Sequence, residues 1–159
     1  MRNQEIAEIL QEISEYLSME GDFFPARAYE KAAENIESGE VSVETIYSSG
    51  GLKALKQIEG VGGSIAEKIE EFIKTGKIKF YQDLKEKTPV DLAGLIKIEG
   101  LGPKNIKKLY TLLKIKNVAD LEKAARAGKV KRLEGFGEKS EKKILKGIEF
   151  LKGSGTRII

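Results

Sequence analysis

The sequence predicts an all-α protein. Three observations carry that prediction. Apolar residues recur at three- and four-residue spacing through most of the chain. No stretch sustains strand alternation between hairpin turn signals. Glycine-marked breaks divide the chain into segments of helical length.

The elements follow in order. Ile6, Ile9, Leu10, Ile13, Tyr16 and Leu17 form one apolar face, with Asn3 the expected N-cap and Gly21 the stop. Pro25 suits a first helical position, and Tyr29, Ala32, Ala33 and Ile36 form the next buried stripe before Gly39. Ser42 is expected to cap a short helix that runs to the turn Ser48-Ser49-Gly50-Gly51. Gly76 to Phe80 alternates briefly, which leaves a strand or a short helix through Leu84 open. Gly128 is read as another helix end, and Gly153 to Thr156 as a flexible linker.

Internal repetition is the strongest signal. Ile58-Glu59-Gly60-Val61-Gly62 recurs as Ile98-Glu99-Gly100-Leu101-Gly102 and as Leu133-Glu134-Gly135-Phe136-Gly137. A short apolar stretch precedes each copy: Leu52 and Leu55, then Leu92 and Leu95, then Val130. An amphipathic helix follows each, carried by Ile65, Ile69 and Phe72, by Ile106, Leu109 and Leu113, and by Ile144, Ile148 and Leu151. Pro103 sits in the first turn of the second of these helices.

Physically, two glycines around one apolar residue make a tight turn whose apolar residue plugs into the core. The second glycine leads into a helix start, where the first amides lack intrahelical partners and the macrodipole is positive. That is a phosphate site in the making. The alternative is a plain αα-corner whose glycines only solve a packing problem.

Composition narrows the chemistry. Among 159 residues there is no Cys, His or Trp. Disulfides, thiol nucleophiles, Cys-ligated metals and every triad that needs His are excluded. The four aspartates, Asp22, Asp83, Asp91 and Asp120, are scattered, so a two-metal carboxylate site is poorly supplied. Covalent work falls to Lys, Ser, Thr, Tyr or Glu.

The net charge of +3 hides a gradient: −8 over residues 1–50, +1 over 51–100 and +10 over 101–159. An anionic partner met by the second half explains it. So does a Lys/Glu-rich surface of the thermophile kind, with 23 Lys to 5 Arg and 21 Glu to 4 Asp. No apolar run approaches a membrane span and the N-terminus lacks a signal peptide, so a soluble cytoplasmic protein is expected.

Leu52 to Gly76 resembles a helix-hairpin-helix motif, Leu92 to Leu113 a second, and Leu133 to Leu151 a degenerate third. The ordered set goes further. Arg27-Ala28-Tyr29-Glu30-Lys31-Ala32-Ala33, Gly60 through Phe72, Thr75-Gly76-Lys77, Gly100-Leu101-Gly102-Pro103 and Phe136-Gly137-Glu138-Lys139 resemble, in order and approximate spacing, the N-terminal half of bacterial and archaeal family X (polymerase β-like) DNA polymerases.

That resemblance implies two helical subdomains, 1–88 and 89–159, split near Thr88-Pro89. The first would grip the 5′-phosphate side of gapped or nicked DNA through Tyr29, Arg27, Lys56, Gly60, Gly62 and Ser64. The second would hold a strand backbone through Gly100, Gly102, Lys104, Asn105, Lys107 and Lys108. Lys68 falls on the Schiff-base lysine of a 5′-deoxyribose-phosphate lyase, with Lys56 as a cationic neighbour. Ser64, Phe24 and Pro25 depart from the basic residues of strong lyases, and Arg27 stands where it compensates. A Na+ or K+ ion is implied at the carbonyls of Lys56, Ile58 and Val61 and of Ile96, Ile98 and Leu101. No other cofactor is implied here. Mg2+ belongs to the polymerase palm, expected beyond Ile159, and no Asp-x-Asp occurs in the chain. The implied partner is DNA and the implied state a monomer. The rival expectation is a helical binding or protein-interaction module without catalysis.

Overall fold

The computed structural model describes residues 2–156. Its elements are α1 (Arg2–Met19), α2 (Phe23–Glu37), α3 (Val43–Leu55), α4 (Gly63–Thr75), α5 (Lys79–Lys87), α6 (Leu92–Leu95), α7 (Pro103–Leu113), α8 (Val118–Arg126) and α9 (Glu138–Thr156). No strand occurs among the described residues, so the all-α expectation holds. The chain divides into two compact units, Met1–Lys87 and Thr88–Ile159.

In the first unit, α1 and α2 form a helical hairpin. Gly21 closes α1 at φ +82°, and the Asp22 amide donates back to the Leu17 carbonyl at 2.9 Å. Pro25 is the third residue of α2, two places later than expected. The position costs nothing, because the first helical amides have no partner to lose. The stripe Ala26, Tyr29, Ala32, Ala33 and Ile36 packs into a core with Ile6, Leu10, Ile13, Leu55, Ile65 and Ile69.

Asn3 does not cap α1. It lies inside the helix, 4% exposed, and bolts two distant segments together. Its Nδ2 donates to the carbonyls of Ile36 at 3.3 Å and Val41 at 3.1 Å, and its Oδ1 accepts from the Val43 amide at 2.8 Å. Ser42 caps α3 as expected, accepting from the Thr45 amide at 3.2 Å. Gly51 then breaks the helix at φ +63°. Residues 79–87 resolve the ambiguous stretch as helix. Strand alternation cannot compete there, because Ile78 is buried in the core and Gly76 already ends α4 at φ +78°.

In the second unit, Asp91 caps the single turn of α6 and Asn117 caps α8. Pro103 opens α7, and Lys114 ends it in the left-handed region at φ +58°. Of α8 the sequence marks only the end, Gly128, which follows the C-cap Ala127 at φ +73°. The helix is short, with only Leu121 and Ala125 buried, too few apolar positions to show a period. It is tied to α9 by Glu122, whose carboxylate takes Lys152 at 2.7 Å and Arg126 at 2.9 Å. Those two cations hold the Glu122 carboxyl below its ordinary range. The expected linker at Gly153 to Thr156 is instead the last turn of α9. Among the described residues no helix is long and apolar enough to cross a membrane.

Candidate nucleic-acid interface

The three repeats fold into the same turn. In each, the first apolar residue's amide donates three residues back: Ile58 to Leu55, Ile98 to Leu95 and Leu133 to Val130, all at 3.1 Å. Its carbonyl then accepts from the second apolar residue: Val61 at 3.0 Å, Leu101 at 3.1 Å and Phe136 at 3.0 Å. The intervening glycines, Gly60, Gly100 and Gly135, sit at φ +83°, +85° and +87°. Only glycine adopts that region without strain. The third copy, degenerate in sequence, is regular in backbone. It departs in packing, since Val61 and Leu101 are buried whereas Phe136 is only half-buried.

The two glycines of each hairpin do different work. The first is packed from outside. A Cβ on Gly60 would lie 3.0 Å from Asn35 Nδ2 and 3.3 Å from Lys31 Cγ. One on Gly100 would meet Lys143 Cε at 3.4 Å, and one on Gly135 would meet Lys108 Nζ at 2.9 Å. The second is open, with nothing within 4 Å of a Cβ on Gly62, Gly102 or Gly137. Gly62 and Gly102 are the N-caps of α4 and α7, in extended conformations at φ −90° and −98°. A glycine cap has no side chain to accept from the helix-start amides. Those amides, and the positive end of the dipole, are left for an anion.

In the first unit the hairpin is fastened to α2 by Asn35, whose Nδ2 donates to the Glu59 carbonyl at 2.7 Å. The Lys56 side chain lies over Gly63, with Cε 3.7 Å from a Cβ built there. Lys68 is half-buried, its Nζ 3.1 Å from Ser64 Oγ and 5.0 Å from the centroid of the Phe80 ring. Tyr29, 6% exposed, stacks on the same Phe80 ring at 6.1 Å. Three expected residues, Tyr29, Ser64 and Lys68, therefore meet around Phe80. Sequence reasoning missed Phe80, since the brief alternation around it marked neither a face nor a site. Arg27 is exposed and lies apart from that cluster, beside Phe23, Phe24 and Lys31.

In the second unit Lys104 is exposed at the start of α7, with Asn105 and Lys107 half-buried. Lys108 is committed elsewhere. Its ammonium donates to the Glu134 carbonyl of the third hairpin and stands 5.9 Å from the Phe136 ring. Lys143 of α9 lies in turn on Gly100 of the second hairpin. Lys108 follows Gly102 by six residues and Lys143 follows Gly137 by six, so the two motifs exchange equivalent lysines. Lys68 holds that place after Gly62, but its unit has no second hairpin to meet, and Lys31 and Asn35 of α2 pack the turn instead.

Comparison with known proteins agrees with this geometry. The profile of the helix-hairpin-helix domain matches residues 1–78, and that of the SAM-like helix-hairpin-helix tandem matches residues 92–149. Helix-hairpin-helix domains thus occupy both parts of the chain. The chain is also 33% identical over 149 residues to the DNA polymerase/3′-5′ exonuclease PolX of Bacillus subtilis, an alignment covering 93% of this chain and 25% of that protein. It is a helix-hairpin-helix region of the PolX-like kind. A DNA ligase of Natranaerobius thermophilus is 41% identical over 71 residues, 39% of this chain and 11% of the ligase. One of Rubrobacter xylanophilus is 46% identical over 56 residues, 35% of this chain and 8% of the ligase. The chain thus spans about a quarter of PolX and a smaller part of each ligase.

Proposed function

We propose that this helix-hairpin-helix chain holds gapped or nicked DNA through its phosphates, without sequence preference. The observation that carries the reading is the open second glycine of each hairpin, which leaves helix-start amides bare within a lysine-rich surface. Amides at a helix start meet phosphate oxygens and not base edges, so they position DNA without reading it. In the first hairpin Lys56 adds charge over Gly63, and in the second Lys104 does so on α7.

Titration against salt tests this. With about four phosphates neutralised, log K is expected to fall with log[salt] at a slope of about −3.6. A flat response overturns the phosphate clamp, and it favours a protein-interaction module.

The hairpin carbonyls suit a monovalent cation beside the phosphate. Those of Ile58 and Ile98 accept one turn hydrogen bond each and keep a second lone pair. With the carbonyls of Lys56 and Val61, and of Ile96 and Leu101, they would hold Na+ or K+, which would add positive charge next to the bound strand.

A second reading, a Schiff-base lyase, is favoured by one cluster. Lys68 is held between Ser64 and the Phe80 ring at the start of α4, near the amides that would take a 5′-phosphate. Its amine would add to the C1′ aldehyde of an abasic sugar and lose water to give an imine. Loss of a C2′ proton would then expel the 3′-phosphate. Borohydride trapping on incised abasic DNA is expected to give a covalent adduct that Lys68→Ala abolishes. No adduct with the parent protein removes this reading and leaves the binding function standing.

A further inference from the structure

In the second unit, α9 crosses the second hairpin at Gly147. A Cβ there would lie 3.0 Å from Ile98 Cγ2 and 3.7 Å from the Glu99 amide, so glycine is what lets the helix come so close. The approach leaves a pocket of about 470 Å³ alongside. Lys97, Lys143 and Lys146 line it against a single acid, Glu99, and Phe150 forms an apolar wall. Phe150 is 70% exposed, one of few large apolar side chains so exposed among the described residues.

From this we infer a site for one unpaired nucleotide, its base lying on Phe150 and its phosphate among the three lysines. The inference rests on the DNA-binding reading and deepens it. Three features select this occupant. The excess of lysine asks for an anion, the ring asks for a flat apolar partner, and a nucleotide supplies both. The volume suits a small ligand. The pocket also adjoins the proposed backbone contact: Glu99 belongs to the second hairpin, and Lys143 lies on Gly100. A base within a duplex is stacked on its neighbours and presents no face to Phe150. The site therefore takes a base at a gap or overhang, with little preference among the four, since each has a π-face.

The test places 2-aminopurine at the unpaired position of a gapped duplex, with a nicked duplex as reference. Binding of the parent protein is expected to quench the probe several-fold. Phe150→Ala should remove the quenching and weaken gapped-DNA binding about tenfold, with nicked-DNA affinity unchanged. Phe150→Tyr should restore both. Nicked-DNA binding that persists while Phe150→Ala leaves quenching and gap preference intact overturns the pocket alone. So does an equal loss on both DNAs. Phe150-dependent binding of an oligoglutamate probe with no 2-aminopurine response assigns the groove to an acidic peptide instead. A parent protein that binds neither DNA takes the DNA-binding reading down with the pocket.

Discussion

Replacing Gly102 by valine is expected to weaken gapped-DNA binding about tenfold while the protein stays folded and its charge is unchanged. The physical reason is the division of labour between the hairpin glycines. At Gly102 the backbone is extended, φ −98° and ψ 174°, which any residue adopts and which suits the residue before Pro103. A Cβ there meets nothing within 4 Å, so the new side chain starts in open space. What the side chain does occupy is the space through which, in the proposed clamp, a phosphate would reach the amides of Lys104 and Asn105. Losing one or two charge-assisted hydrogen bonds, each worth about 1.5–3 kcal/mol, accounts for the tenfold figure or more.

Gly102→Ser sharpens the test. Serine at an N-cap accepts from those same amides, so it should raise the melting temperature slightly and still lower DNA affinity. Stability and affinity moving in opposite directions is the signature of an anion site. Melting curves and gel shifts on both variants decide it, and full affinity in both would show that DNA does not approach there. The same change at Gly100 should act differently. There φ is +85° and Lys143 is in contact, so Gly100→Val should lower stability first.

Asn3→Ala is expected to destabilise the first unit by about 2–3 kcal/mol, the largest stability effect foreseen for a single polar group here. The three hydrogen bonds are not equal. The Ile36 carbonyl also accepts from the Gly39 amide at 3.2 Å, and Val41 is 52% exposed, so water replaces that partner. The Val43 amide has no such recourse, because Val43 is 1% exposed. Stranding that donor dominates the cost. In a unit of this size the loss corresponds to a melting temperature lower by about 10 °C or more.

Asn3→Asp separates this role from capping. An exposed N-cap tolerates aspartate at little or no cost. At the buried site aspartate keeps the acceptor for Val43 but turns a carboxylate toward two carbonyls, so it too should destabilise. Thermal melts of both variants check the pair, and a neutral Asn3→Asp would restore the cap.

Much of the site was legible in the residues because hairpins are local. Glycine at positive φ, an apolar plug and a helix start lie within five residues, and one triplicated pattern specifies all three turns. Helix identity was legible for the same reason, through apolar spacing within each segment. Even the short helix α5 is ambiguous only where the five residues Gly76 to Phe80 alternate.

What the residues determined, then, is the all-α class, the three hairpins, the exclusion of His and Cys chemistry, and the basic character of the second half. Only the tertiary structure decided which glycine of each pair is packed and which is open, because that depends on side chains from helices remote in sequence. Asn3 reads identically as a cap or a buried bolt until α2 and α3 close over it. Lys68, Lys108 and Lys143 occupy the same place in three repeats, yet the last two lock neighbouring hairpins and the first lies on Phe80. Repetition sets where a side chain starts, and the packing around it decides what its end meets.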